Sequence, residues 1–213
     1  MKNYTTCLFD LDGTLVESKK LKGKALAETC NLFGDKVDAT IYKSVMGESW
    51  FQVTRYFFKV AEIEPNIDLF NAEFKNIYQQ LLSIELLPNP NVEELLTQLK
   101  AMGKNLGVVS SADKWMVNQV LSEMNFIDYF DVVITKELVE KHKPNPEAYL
   151  LALKKLSVSS SEVLVFEDSR AGLLAAKNAN CDSVAFRHEY NVNNDFGLAL
   201  QVISDFNQFV LVD

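Results

Sequence analysis

Five short apolar runs constrain this chain more tightly than any other feature. They are Thr6–Phe9, Leu106–Val109, Val132–Ile134, Val163–Phe166 and Ser183–Phe186, each rich in β-branched or aromatic residues. Within them apolar residues follow one another instead of alternating, which is how a strand buried on both faces reads. A parallel sheet covered by helices on either side buries strands in that way. Amphipathic segments at Val92–Met102, Lys114–Met124, Pro146–Leu156 and Ala171–Ala179 separate the later runs. Strand and helix therefore alternate, and the expected class is α/β with right-handed crossovers.

The first run breaks that rhythm. The stretch that follows has helical periodicity and no strand pattern: Ala25-Leu26 to Leu32-Phe33, Phe51 to Phe57-Phe58, and Phe70, Phe74, Ile77-Tyr78 and Leu81-Leu82. Leu87-Pro88-Asn89-Pro90 then forms a stiff return to the sheet. The expected organisation is an α/β core domain of residues 1–15 and 88–213, with an all-helical cap domain of residues 16–87 inserted after the first strand.

Composition bounds the partners. An apolar fraction of 48% and a charged fraction of 23% sustain a packed core. The formal net charge of −8 repels phosphate backbones and anionic lipid, so neither nucleic acid nor a membrane surface is expected as a partner. A small anionic substrate needs only local positive charge. No run approaches the roughly 18 apolar residues that span a bilayer, and the N-terminal apolar stretch is too short for a signal peptide. Cys7, Cys30 and Cys181 are scattered and form no C-x-x-C pair, as expected of reduced thiols in a cytoplasmic protein. With no obvious exposed apolar seam, a monomer is expected.

In an open α/β sheet, ligands bind beyond the carboxyl ends of the strands. The first run ends in Asp10-Leu11-Asp12-Gly13-Thr14, two carboxylates two residues apart. On extended chain such side chains point the same way and repel unless a cation or a reaction needs them. The second run ends in Ser110-Ser111. Lys141-His142-Lys143-Pro144 lies past the third, and Glu167-Asp168-Ser169 past the fourth. Together these loops suit phosphoryl transfer from a monoester. Asp10 would attack phosphorus and form an aspartyl-phosphate, and Asp12 would carry the proton. Mg²⁺, a hard and oxygen-seeking cation, would be held by Asp10 and Asp168. Lys143 adds positive charge, Ser110 donates to a phosphoryl oxygen, and Gly13 lets the backbone turn its amides toward the phosphate. Ser111 or Asp113 suits the N-cap of the next helix. His142 and His188 are read as loop residues, because this chemistry needs no histidine.

Asp10-Leu11-Asp12-Gly13-Thr14-Leu15, Val108-Val109-Ser110-Ser111, Lys143-Pro144-Asn145-Pro146 and Val165-Phe166-Glu167-Asp168-Ser169 resemble, in order and spacing, the motifs of haloacid dehalogenase superfamily phosphatases. The helical insertion is similar to the cap of the phosphoglycolate phosphatase and β-phosphoglucomutase subgroup. The resemblance implies a Rossmann-like core and a Mg²⁺-dependent phosphatase acting on a small phosphorylated metabolite such as a sugar phosphate. By it Asp10 is the nucleophile, Asp12 the acid/base, and Ser110 and Lys143 complete the catalytic set. The metal ligands would be the Asp10 carboxylate, the Asp12 backbone carbonyl and Asp168, with Glu167 either a further ligand or a support behind them. Gly13, Thr14, Ser110, Ser111 and Lys143 would meet the phosphate, and Lys22 and Trp50 are candidates for substrate contact.

Two other readings stand beside this one. A phosphomutase of the same subgroup would carry a histidine where this chain has Lys22, and an arginine in the stretch aligned with Met46–Trp50, where none occurs. A phosphate-ester-binding module without catalysis would have no use for both Asp10 and Asp12.

Overall fold

Strand β1 (Thr6–Phe9) is buried at all four residues and pairs in parallel with a neighbour on each side. The computed structural model describes residues 4–210. Residues 1–3 and 211–213, the outermost residues of the expected core domain, lie outside the described residues. The other strands are β2 (Asn105–Val109), β3 (Val132–Ile134), β4 (Val163–Glu167), β5 (Asp182–Phe186) and β6 (Gln201–Ile203). They form one parallel sheet in the order β3-β2-β1-β4-β5-β6. The chain runs outward from β1 through β2 and β3, crosses back, and runs outward again through β4, β5 and β6. The direction reverses at β1 and β4, so the crevice beyond their carboxyl ends is the natural ligand site of such a sheet.

Strand β6 was not expected. It is a three-residue edge strand, exposed at Val202 and half-buried at Gln201. An edge strand needs no continuous apolar run, so the pattern that marks the other five is missing from it.

The two faces of the sheet are filled differently. Leu8 and Val165 face Ala148, Tyr149 and Ala152 of one helix and Ala175 and Ala176 of another. These helices are α6 (Glu147–Leu156) and α7 (Arg170–Asn178). The small alanines bring the helices close to the sheet. On the opposite face Phe9 stacks on Phe166 with ring centroids 4.7 Å apart, Phe186 stacks on Phe206 at 4.8 Å, and Phe166 meets Phe206 at 5.8 Å. Helix α7 stops where Asn180 adopts a left-handed φ of 58°, a conformation that asparagine tolerates.

The chain divides into two compact units, one running up to Val16 and from Leu87 onward, the other Glu17–Leu86. The second is helical, with α1 (Ser18–Asn31), α2 (Trp50–Ala61) and α3 (Ile67–Glu85) and a short 3-10 helix at Ala39–Ser44. Its core is aromatic: Phe58 meets Phe70 edge-on at 4.6 Å, and Trp50 packs on Phe74 at 4.7 Å. Ser49 and Gln52 form a reciprocal cap at the start of α2, and Asn66 accepts from the Asp68 and Leu69 amides at the start of α3. The remaining helices of the first unit are α4 (Val92–Ala101) and α5 (Lys114–Glu123). No described helix is long and apolar enough to cross a membrane.

All three cysteines are buried thiols that form no disulfide. Burial pushes the Cys7 thiol up to about 12 and the Cys30 thiol up to about 11. Since the thiolate is the nucleophile, the native protein is expected to resist a disulfide thiol reagent at pH 8, and all three thiols are expected to react in denaturant. Rapid native labelling of any of them, followed by absorbance, contradicts this packing.

Candidate active site

The β1 backbone hands Asp10 to the sheet edge while the residue is still paired with the neighbouring strand. Its amide donates to Phe166 O at 2.9 Å, and the side chain is buried. Beyond it the loop closes on itself. Leu11 O accepts from the Thr14, Leu15 and Val16 amides, the Gly13 amide donates to Val16 O, and Gly13 has a φ of 90° that only glycine adopts without strain. The amides of Gly13 and Thr14 donate within the loop. The Thr14 hydroxyl is buried with no hydrogen-bond partner. Asn89, which the sequence did not single out, is buried and clamps this loop from outside, donating to Gly13 O at 3.1 Å and Thr14 O at 2.6 Å.

Lys143 joins three strands. Its ammonium donates to Asp10 Oδ1 after β1 at 2.7 Å, to Val109 O at the end of β2 at 2.8 Å, and to Glu167 Oε1 at the end of β4 at 2.6 Å. Burial alone would lower its pKa, but the charges of Asp10 and Glu167 and the hydrogen bonds to both carry it above the ordinary lysine value. The loop that presents it is pinned by Glu147, whose carboxylate accepts from the Glu140 and Lys141 amides at 2.8 and 3.0 Å.

Glu167 is wholly buried and saturated. Oε1 accepts from Lys143 and from the Tyr149 hydroxyl at 2.9 Å. Oε2 accepts from the Asp168 and Ser169 amides and from the Ser169 hydroxyl at 3.1–3.2 Å. Five donors meet a group with about four lone-pair sites. Burial first, then the charges of Glu167 and Asp10, push the Tyr149 phenol well above its usual pKa, so it stays a donor. Space for Glu167 comes from Gly172 in the first turns of α7. A Cβ there would sit 1.9 Å from the Glu167 carboxyl carbon. A glycine inside a helical pattern is a readable flag for such a close approach; Tyr149 carried no signal of its own.

Asp168 is held by His188, read from the sequence as a loop residue, and by Asn191, which the sequence did not single out. His188 Nε2 lies 2.9 Å from Asp168 Oδ2, and Asn191 donates to Asp168 O at 2.8 Å. Ser110, buried after β2, donates its amide to Ile134 O and accepts from the Ala112 amide at 3.1 Å, while Ser111 is exposed. Asp113 stands at the N-cap of α5 but makes no side-chain cap bond. Its carboxylate pairs with Lys136 at 2.8 Å, and the Lys114 amide donates to Glu137. In the helical unit, Trp50 is half-buried with its indole N–H on Asn71 at 2.9 Å, and the Lys22 ammonium lies 5.8 Å from the centre of the Tyr78 ring.

Asp10, Glu167 and Asp168 each offer a carboxylate oxygen within 4.8 Å of the others, and all three residues are buried. With one lysine among them they carry two excess negative charges. An all-oxygen, negatively charged donor set of this kind fits a hard divalent cation.

The fit of Glu167 against Gly172 is directly testable. Gly172→Ala is expected to cost about 1–3 kcal/mol by overpacking against a buried, fully bonded carboxylate. Urea unfolding measures it, and a variant as stable as the wild type contradicts the close approach.

Comparison with known proteins follows the same lines. A family model described as haloacid dehalogenase-like hydrolase matches residues 7–186. A phosphorylated carbohydrates phosphatase of Thermotoga maritima is 28% identical over 177 residues, 83% of this chain and 82% of that protein. A phosphoglycolate phosphatase of Colwellia psychrerythraea is 30% identical over 195 residues, 88% of this chain and 86% of that protein. The crystal structure of CbbY from Rhodobacter sphaeroides in complex with phosphate shares the fold, with a TM-score of 0.85 at 24% identity over 95% of both chains. The chain belongs to the haloacid dehalogenase-like hydrolase family.

Proposed function

We propose that this protein is a Mg²⁺-dependent phosphatase that hydrolyses a small phosphomonoester, a sugar phosphate or related metabolite, through an aspartyl-phosphate. The observation that carries the reading is the buried Asp10 carboxylate, held by Lys143 and grouped with Glu167 and Asp168. The names of the relatives add support, since they describe phosphatases of carbohydrate phosphates and of phosphoglycolate. The core domain in this reading is residues 1–15 and 88–213, and the helical cap is residues 16–87.

Asp10 attacks phosphorus in line and takes the phosphoryl group as the bond to the ester oxygen breaks. Asp12, two residues on, gives that oxygen its proton and leaves as carboxylate. It then takes a proton from the water that attacks the aspartyl-phosphate, which releases inorganic phosphate and restores Asp10. Lys143 acts by charge, because its three N–H donors are already matched by Asp10, Val109 O and Glu167. Ser110 accepts from the Ala112 amide, which leaves its O–H to donate to a phosphoryl oxygen. Mg²⁺, when bound, neutralises charge on the phosphoryl oxygens and on the carboxylates around them. Asp10, the Asp12 carbonyl and Asp168 would hold it. Glu167, saturated by its five donors, serves as the anchor of Lys143.

Asp10→Asn is expected to lower turnover of p-nitrophenyl phosphate about 10³-fold or more with the circular dichroism spectrum unchanged. Chelation of divalent cations is expected to silence the wild type, and added Mg²⁺ to restore it. An active Asp10→Asn variant, or full activity in excess chelator, overturns the proposal. A panel of phosphorylated metabolites, followed by phosphate release, then ranks the substrates.

A further inference from the structure

We propose that His188 is a positioning residue for the divalent cation, acting through Asp168. The inference rests on the metal reading given above, in which Asp10, the Asp12 carbonyl and Asp168 would hold the cation. His188 lies just past β5 in a loop that the proposed reaction does not use. The Tyr190 amide donates to His188 Nδ1 at 3.1 Å. In a neutral imidazole one nitrogen accepts and the other donates, so the ring proton resides on Nε2 and is donated to Asp168 Oδ2 at 2.9 Å.

The loop that carries the ring is itself fixed. The His188 amide donates to Asn191 Oδ1 at 2.8 Å. The side-chain amide of Asn191, buried to 1% exposure, donates to Phe186 O at 2.9 Å and to Asp168 O at 2.8 Å. The Asp168 amide donates to Glu167 Oε2 at 3.1 Å. Asp168 is thus held at its amide, its carbonyl and its carboxylate, and His188 contributes a carboxylate contact. A ligand ordered before the cation arrives loses less rotamer entropy on binding, and partners that orient metal ligands are worth 10- to 100-fold in affinity.

Mn²⁺ titration followed by electron paramagnetic resonance tests this without relying on catalysis. His188→Leu is expected to raise the Mn²⁺ Kd about 10- to 100-fold. His188→Gln, whose side-chain N–H can reach the same carboxylate, is expected to recover most of that loss. Circular dichroism and thermal unfolding check that both variants fold. Nitrogen-15 NMR of the wild-type histidines gives a second reading that needs no variant. His188 is expected as the Nε2–H tautomer, with its ring shifts moving on Mg²⁺ addition along the same saturation curve as binding. If wild-type protein binds Mn²⁺ and His188→Leu binds it equally well, or if the Nδ1–H tautomer is found, the positioning role is wrong while the metal site stands. If wild-type protein shows no saturable Mn²⁺ binding, the metal reading falls and this inference with it.

Discussion

One buried ammonium organises the edge of the sheet where β1, β2 and β4 end. Lys143 has three N–H donors and meets three acceptors, one from each of the adjacent strands or strand ends β2, β1 and β4. Moving a lysine out of water costs several kcal/mol, and two carboxylates placed side by side repel. Each problem solves the other here, because the ammonium separates Asp10 from Glu167 and both carboxylates keep it charged. A guanidinium has five donors in a flat fork and could not match three acceptors gathered about one point. Removing any one partner leaves a buried charge less well compensated, so the arrangement resists displacement.

That rigidity extends outward in layers. Lys143 is held by Glu167, Glu167 by Tyr149, Ser169 and two amides, and room for Glu167 is made by the bare Cα of Gly172. Ser169 is shared between layers, since its hydroxyl also accepts from the Gly172 amide to cap α7. Stability of the helix and placement of the carboxylate therefore depend on the same atoms. Tyr149 works in two directions as well, with its ring packed in the apolar core of α6 and its hydroxyl on Glu167.

The sequence made the skeleton of this arrangement legible and left its supports hidden. Strands buried on both faces announce themselves as continuous apolar runs, so β1 to β5 and the loops after them could be read off. A parallel sheet then gathers those loops at one edge. The pairing of Lys143 with Asp10 across 133 residues follows from that topology more than from either residue. His188, Asn191, Asn89 and Tyr149 had no such signal. Each acts through one or two hydrogen bonds made by an ordinary residue type, and only the folded chain brings the partners together. Two local details also depend on the folded chain. Asp113 stands at the expected helix start, and a lysine from another loop takes its carboxylate. The Gly13 and Thr14 amides belong to a turn whose internal bonding no local pattern specifies.

The return of the chain at Pro88 has a consequence for how this protein can change over time. Val16 and Pro88 form an antiparallel bridge, the Asn89 amide donates to Leu15 O, and the Asn89 side chain grips Gly13 and Thr14. The two points where the helical insertion leaves and rejoins the core are thus stitched together by atoms of the core itself. Residues gained or lost between them change the length of a closed excursion and pull on no strand. The loop that carries Asp10 and Asp12 is mechanically insulated from drift in the seventy residues that follow it. Seam and loop being one structure, new helical excursions can be tried in this lineage while Asp10 and Asp12 stay where they are.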